Sequence, residues 1–190
     1  YIASISTTKF NEHLEEFITL IAQIGASFLE NHKGEMIDNF VELILFLKKT
    51  FDIEKYIKQI AELSFEIMKV CVSSDFNDLD SFSDLMFLFS EFIRNYFSEV
   101  SDYIVPLVEL FSQIILKAQN INNSDLKSKF LINCSILLKN IFEKIDHDSA
   151  SGLFEISFRL ANEIICCLSE ENTKEEQFEQ IIYLFCQMSN

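Results

Sequence analysis

The chain has 190 residues, 49% hydrophobic and 24% charged, with only Gly 3 and Pro 1. This composition excludes a disordered chain, and so little glycine excludes a hairpin-rich β fold, leaving helices joined by short polar breaks. Lys and Arg number 15 against 30 Asp and Glu, a net charge of −15; it argues against direct nucleic-acid binding, which needs a basic stripe, and fits either a basic protein partner or a solvated acidic surface.

The first predicted helix starts at Thr7 or Thr8 and runs to about Asn31, burying Leu14, Phe17, Ile18, Ile21, Ile24, Phe28 and Leu29. Gly25 lies inside it. A mid-helix glycine costs about 1 kcal/mol against alanine, so its presence predicts a close helix contact. His32, Lys33 and Gly34 supply a basic last turn and a C′ glycine. The second helix is predicted from Glu35 to Thr50, with Met36, Phe40, Val41, Ile44, Leu45 and Leu47 apolar. Asp52 caps a third, from Ile53 to Val72, whose stripe is Tyr56, Ile57, Ile60, Leu63, Ile67 and Met68. Ser73 to Asp80 is a polar connector.

Asp80 to Ala118 reads as a helical hairpin of roughly 40 residues, the size of one HEAT-type repeat. Phe82, Leu85, Met86, Phe89, Phe92, Ile93 and Phe97 line its first helix at i, i+3, i+4 spacing. Glu99 to Asp102 turns the chain, with Ser101 or Asp102 as the cap. Pro106 follows within about one turn, where a missing N–H costs little. Val105, Val108, Leu110, Phe111, Ile114 and Ile115 are the second apolar face. A sixth helix is expected from Asp125 to Ile145 with Ser124 as cap, a seventh from Gly152 to Ser169 and an eighth from Lys174 to Met188. Short breaks make neighbours antiparallel. Glu62-Leu63-Ser64-Phe65 recurs as Glu155-Ile156-Ser157-Phe158, an offset of about two repeat units of roughly 40–47 residues. The reading is therefore all-α: a right-handed HEAT-like α-α superhelix of about four hairpins over residues 1–190. The chain begins at Tyr1 without an initiator Met, which fits a segment of a longer solenoid.

No stretch demands catalysis, a cofactor or a metal. Asp75 to Asp80 resembles the start of a calcium loop but lacks its glycine and its final glutamate, so helix capping is the favoured reading. His13, His32 and His147 have no second ligand at a zinc spacing. Cys71, Cys134, Cys166, Cys167 and Cys186 sit in apolar helical runs and read as buried thiols of a reducing compartment. No apolar run approaches the roughly 18 residues of a membrane span. Arg94 and Arg159, the only arginines, lie in apolar helical surroundings with no loop to present a catalytic finger. Glu35, Asp38 and Glu42 line one helix face at i, i+3, i+7 and are the candidate partner-binding residues; a solvated face is the competing reading. Glu170, Glu171, Glu175, Glu176 and Glu179 form a second acidic patch that also suits a helix N-terminus. Phe87, Phe89, Phe92 and Phe97 are read mainly as inter-helix core; rings lying between outer helices would make a pocket for Phe-containing peptides.

Three segments resemble karyopherins. Phe17 to Phe28 (FITLIAQIGASF) looks like the outer helix of a karyopherin repeat. Glu62 to Met68 (ELSFEIM) resembles a stretch that those proteins carry before an aromatic pair, with Ile67 and Met68 in place of the pair. Asp84 to Ile115 is similar to later repeats, where an acidic turn leads to an Ile-Val-Pro-Leu start. The chain thus resembles a middle-to-late portion of an importin-beta superfamily nuclear transport receptor, nearest the transportin and exportin branch. The resemblance implies binding of protein cargo, possible contacts with FG-nucleoporins, regulation by Ran-GTP through repeats outside this segment, and presence in cytoplasm and nucleus. The alternative is a HEAT-repeat scaffold outside transport, of the phosphatase or chromosome-associated type.

Overall fold

The computed structural model describes residues 13–31, 34–73, 79–118 and 124–144, together with Arg159, Ala161, Asn162, Ile164, Glu179, Tyr183 and Cys186. Among the described residues the chain is all-α, without strands. Six helices carry the fold: α1 (Leu14–Asn31), α2 (Gly34–Thr50), α3 (Ile57–Ser73), α4 (Leu79–Asn95), α5 (Ile104–Ala118) and α6 (Ser124–Phe142). The apolar spacing predicted these helices because each buries a broad stripe. Phe28, Phe40, Phe89, Phe92, Phe111 and Phe130 are essentially inaccessible and belong to one continuous core. Each such ring contributes roughly 1.5–3 kcal/mol by leaving water.

Each helix packs on its hairpin partner or on the helix two places along the chain. α1 lies against α2 and α3; α2 also lies against α4; α3 lies against α4 and α5; α4 and α6 form the most extensive pair. Helices two places apart run parallel. Asp80, Ser83, Met86 and Ser90 of α4 meet Lys129, Asn133, Cys134 and Asn140 of α6 in the same order.

Gly25 behaves as its position predicts. A Cβ there would come within 2.6 Å of Leu63 Cδ2, so the bare backbone of α1 is what admits α3 at this depth. The polar rim of the same interface is Glu15, whose carboxylate accepts bonds from Lys55 Nζ and the Tyr56 hydroxyl, each at 3.2 Å.

The helix starts differ from expectation in an informative way. The third helix begins at Ile57, not Ile53, after a single 3₁₀ turn over Glu54–Tyr56. Asp52 closes that turn by accepting the Glu54 N–H at 3.2 Å. The same device recurs before α5: a 3₁₀ turn over Ser101–Tyr103, then Ile104. Ile53 and Val100, about 47 residues apart, are both buried and take nearly the same backbone angles, φ −105°, ψ 8° and φ −115°, ψ 1°. In both places Tyr-Ile follows, and the isoleucine N–H bonds back to the first carbonyl of the turn.

α4 and α5 are not the hairpin that the sequence suggested, because α4 packs on α6, α2 and α3 while α5 packs on α3 and α6; the link between them is also tighter than predicted. α4 ends at Asn95, Tyr96 is non-helical, and Phe97–Val100 makes one α-turn before the 3₁₀ turn. Ser101 does not cap the helix as expected, because its hydroxyl bonds to the Ser98 carbonyl at 3.2 Å. Asp102 lies within the 3₁₀ turn and faces Lys58 at 3.8 Å. Pro106 is the third residue of α5, where no intrahelical N–H is lost. Val105, predicted to be buried, is 44% exposed, since it sits on the solvent side of the first turn. Gly34 opens α2 rather than following α1 as a C′ residue. α6 ends at Phe142, short of Ile145. The seventh and eighth helices and the Glu155 half of the internal echo lie outside the described residues, apart from the few single positions named above.

Candidate functional site

α2 positions the acidic row that the sequence singled out. Asp38 and Glu42 are exposed one turn apart on its outer face. Among the described residues neither makes an ion pair. Glu35 stands in the first turn of the same helix, and its side chain lies outside the described residues. Asp38 and Glu42 thus share an exposed helix face, and nothing in the described structure neutralises either.

The neighbouring helix α4 treats its acids in the opposite way. Lys129 of α6 binds Asp80 and also sits 3.0 Å from Asp84. Burial alone would lower the Lys129 pKa, but the hydrogen bonds it donates to Asp80 and Asp84 outweigh this and the pKa is raised. Glu91 is satisfied twice, by half-buried Lys48 of α2 and by Arg94 one turn on. Acids of α4 therefore tie helices together, while Asp38 and Glu42 of α2 make no ion pair among the described residues.

Between α4 and α6 runs a polar seam that the sequence did not mark. Asn133 Nδ2 donates to the Ser83 carbonyl at 3.1 Å and to its hydroxyl at 2.6 Å. Asn140 repeats both bonds with Ser90 at the same distances. Ser83, Ser90 and Asn140 are buried. The serines are small enough to let α6 approach, and the asparagines satisfy polar groups that would otherwise be stranded. A signal existed in the sequence: serine and asparagine pairs each spaced two helical turns apart on apolar helices.

Phe89 and Phe92 are core, with ring centroids 5.9 Å apart and planes at 70°. Phe97 is half-buried, whereas Phe87 is 40% exposed on α4. His13 is exposed and meets Glu16 at 3.0 Å; His32 and His147 lie outside the described residues. Among the described residues no group of three or more His, Cys, Asp or Glu could hold a metal ion. Of the calcium-loop-like stretch, Asp80 is described and is engaged by Lys129. Cys71 and Cys134 are buried as expected, but Cys186 is exposed, which corrects the expectation for that residue; Cys166 and Cys167 lie outside the described residues. Arg94 and Arg159 are exposed rather than set in apolar surroundings. Of the second acidic patch only Glu179 is described, and it too is exposed. No helix among the described residues is long and apolar enough to cross a membrane.

Tyr103 completes the α3–α5 surface. Its ring lies 5.6 Å from that of Phe65, and Lys69 sits over the other ring of the pair at 5.6 Å. Burial, then Glu62, Asp102 and Glu66, push the phenol pKa up. These groups join helices and form no acid–base pair with a nucleophile. No protein-family model, curated protein or solved structure matches the chain.

Proposed function

We propose that the chain is a segment of a HEAT-like α-α superhelix that binds protein cargo, and that it serves as part of a nuclear transport receptor of the importin-beta type. The single observation that carries the superhelix is the order of packing: each helix meets its hairpin partner and the helix two places along. A stack of hairpins has this order, because each hairpin touches only its neighbours. The repeated 3₁₀ lead-in before α3 and α5 supports the same reading. The binding role rests on Asp38 and Glu42, exposed on one helix face, and on a net charge of −15 that favours a basic cargo segment. Transport rests on the karyopherin-like segments Phe17–Phe28, Glu62–Met68 and Asp84–Ile115.

The test is retention of the full polypeptide carrying this sequence on immobilised FG-repeat peptide, with an FG-to-SG peptide as control. Retention on FG alone supports the transport role. A folded protein that ignores both peptides is a non-transport scaffold. Cargo binding through α2 predicts that Asp38→Lys/Glu42→Lys weakens capture of a basic peptide and leaves the helical circular-dichroism spectrum unchanged.

A further inference from the structure

The two lead-in turns belong to a repeat that includes the helix each turn packs against. About 47 residues separate Ile53 from Val100, Tyr56 from Tyr103 and Glu15 from Glu62. α1 packs on α3 as α3 packs on α5, and the turns before α3 and α5 share their backbone course. In the first unit Glu15 of α1 accepts a hydrogen bond from the Tyr56 hydroxyl at 3.2 Å. A lysine ammonium completes this group. Lys55 Nζ donates to Glu15 at 3.2 Å and lies 5.0 Å from the centre of the Tyr56 ring. Carboxylate, phenol and ring together suit an ammonium ion, through its charge, its N–H donors and the ring quadrupole.

The second unit has the same carboxylate and phenol but not the ammonium. Glu62 of α3 acts on the Tyr103 phenol more strongly than any other charge. The place of Lys55 is taken by Asp102, a second carboxylate acting on that phenol. Two lysines lie near, and each is engaged elsewhere. Lys58 approaches Asp102 at 3.8 Å. Lys69 donates to both oxygens of Glu66, at 2.7 and 2.9 Å, and covers the Phe65 ring. Among the described residues Glu62 makes no ion pair and Tyr103 no hydrogen bond. The first unit sets one lysine against one carboxylate; the second sets Lys58 and Lys69 against Glu62, Glu66 and Asp102, which leaves one negative charge unbalanced.

We propose that Glu62, Asp102 and Tyr103 form a docking site for the side-chain ammonium of a lysine in a protein partner, which takes the place that Lys55 takes in the first unit. The internal comparison selects this occupant: the equivalent carboxylate and phenol already hold a lysine. Charge complementarity selects it again, because the site lacks one positive charge and the chain carries −15. The inference rests on the binding role proposed above only in taking the partner to be a basic protein. It uses neither Asp38 nor Glu42, and it does not depend on the transport role.

The test uses the full polypeptide carrying this sequence, labelled with fluorotyrosine and followed by fluorine NMR, with Tyr56→Phe and Tyr103→Phe identifying the two signals. The probe is a glycine-flanked peptide with a single lysine, and the control is the same peptide with norleucine in its place. The lysine peptide should shift the Tyr103 signal saturably, with half the effect at about 10 mM, and leave Tyr56 unmoved. Added salt should weaken the response. Glu62→Gln should weaken it several-fold. Asp102→Lys supplies the ammonium from within the chain and should abolish it, whereas Glu143→Lys, an equal change of charge on α6, should not. Lys55→Ala should make Tyr56 respond to the same peptide. Circular dichroism checks that each variant is folded. A Tyr103 signal unmoved at about 100 mM peptide overturns the proposal, as does an equal shift with the norleucine peptide. An undiminished response in folded Glu62→Gln or Asp102→Lys overturns it too. Asp38→Lys/Glu42→Lys leaves this site intact, so the α2 reading and this one can fail separately.

Discussion

α1 and α3, like α4 and α6, are parallel neighbours two places apart in the chain, yet the two interfaces are fixed by opposite means. The first is set by shape: Gly25 lacks the Cβ that would strike Leu63, and the polar bonds that Glu15 accepts lie in solvent. The second is set by hydrogen bonds: Asn133 and Asn140 each grip one serine of α4 through both its carbonyl and its hydroxyl. The contrast shows what specifies register in a stack of similar helices. Apolar stripes alone allow one helix to slide along another. A missing Cβ or a buried donor with one matching acceptor allows a single position.

This account can be broken most directly at the seam. Asn140→Asp removes the donor and sets a carboxylate beside the Ser90 carbonyl in a buried site, so it should cost about 3 kcal/mol in urea unfolding. A cost below about 1 kcal/mol would mean that the seam does not set the register. At the shape-fixed interface, Gly25→Val adds a branched side chain against Leu63 and should cost about 2 kcal/mol. Leu63→Ala in the same chain should relieve part of that cost, and strict additivity of the two changes would refute the contact.

Smaller effects sharpen the contrast. Lys129→Met removes ion pairs that are 45% exposed at the lysine, so about 0.5 kcal/mol is expected, well below the Asn140 effect. Alkaline pH should produce the shallowest change. Lys129, Tyr96 and Tyr103 all have raised pKa values in the fold. The folded state therefore holds these protons more tightly, so their contribution is full below about pH 10 and declines as pH rises through that range. Thermal midpoints measured from pH 8 to pH 11 should hold to about pH 10 and fall above it, less steeply in Lys129→Met.

The helices and most of the core were legible because broad apolar stripes at i, i+3, i+4 leave little choice. Phe82, Leu85, Met86, Phe89, Phe92 and Ile93 are all buried as their spacing requires. Gly25 was legible as well, since a costly residue in mid-helix asks for a neighbour. The seam was not, because serine and asparagine in a helix ordinarily read as its wet face, and only the approach of α6 buries them. The 3₁₀ lead-ins escaped for another reason. Their repeated content is a buried aliphatic residue and a Tyr-Ile pair, too short to stand out among so many similar residues. Val105 misled because apolar identity near a helix start does not fix which side the first turn presents. On the candidate surface, the row on α2 was visible as charge spacing, whereas Leu20 and Phe46 belonged to neither apolar stripe and are exposed.

The central claim, a cargo-binding superhelix of the transport type, is tested most directly by one measurement: retention of the full polypeptide on Ran loaded with GTP and on Ran loaded with GDP. The account predicts strong retention on the GTP form and none on the GDP form. A helical, folded protein retained on neither would contradict it and leave a stacked-hairpin scaffold that serves another complex.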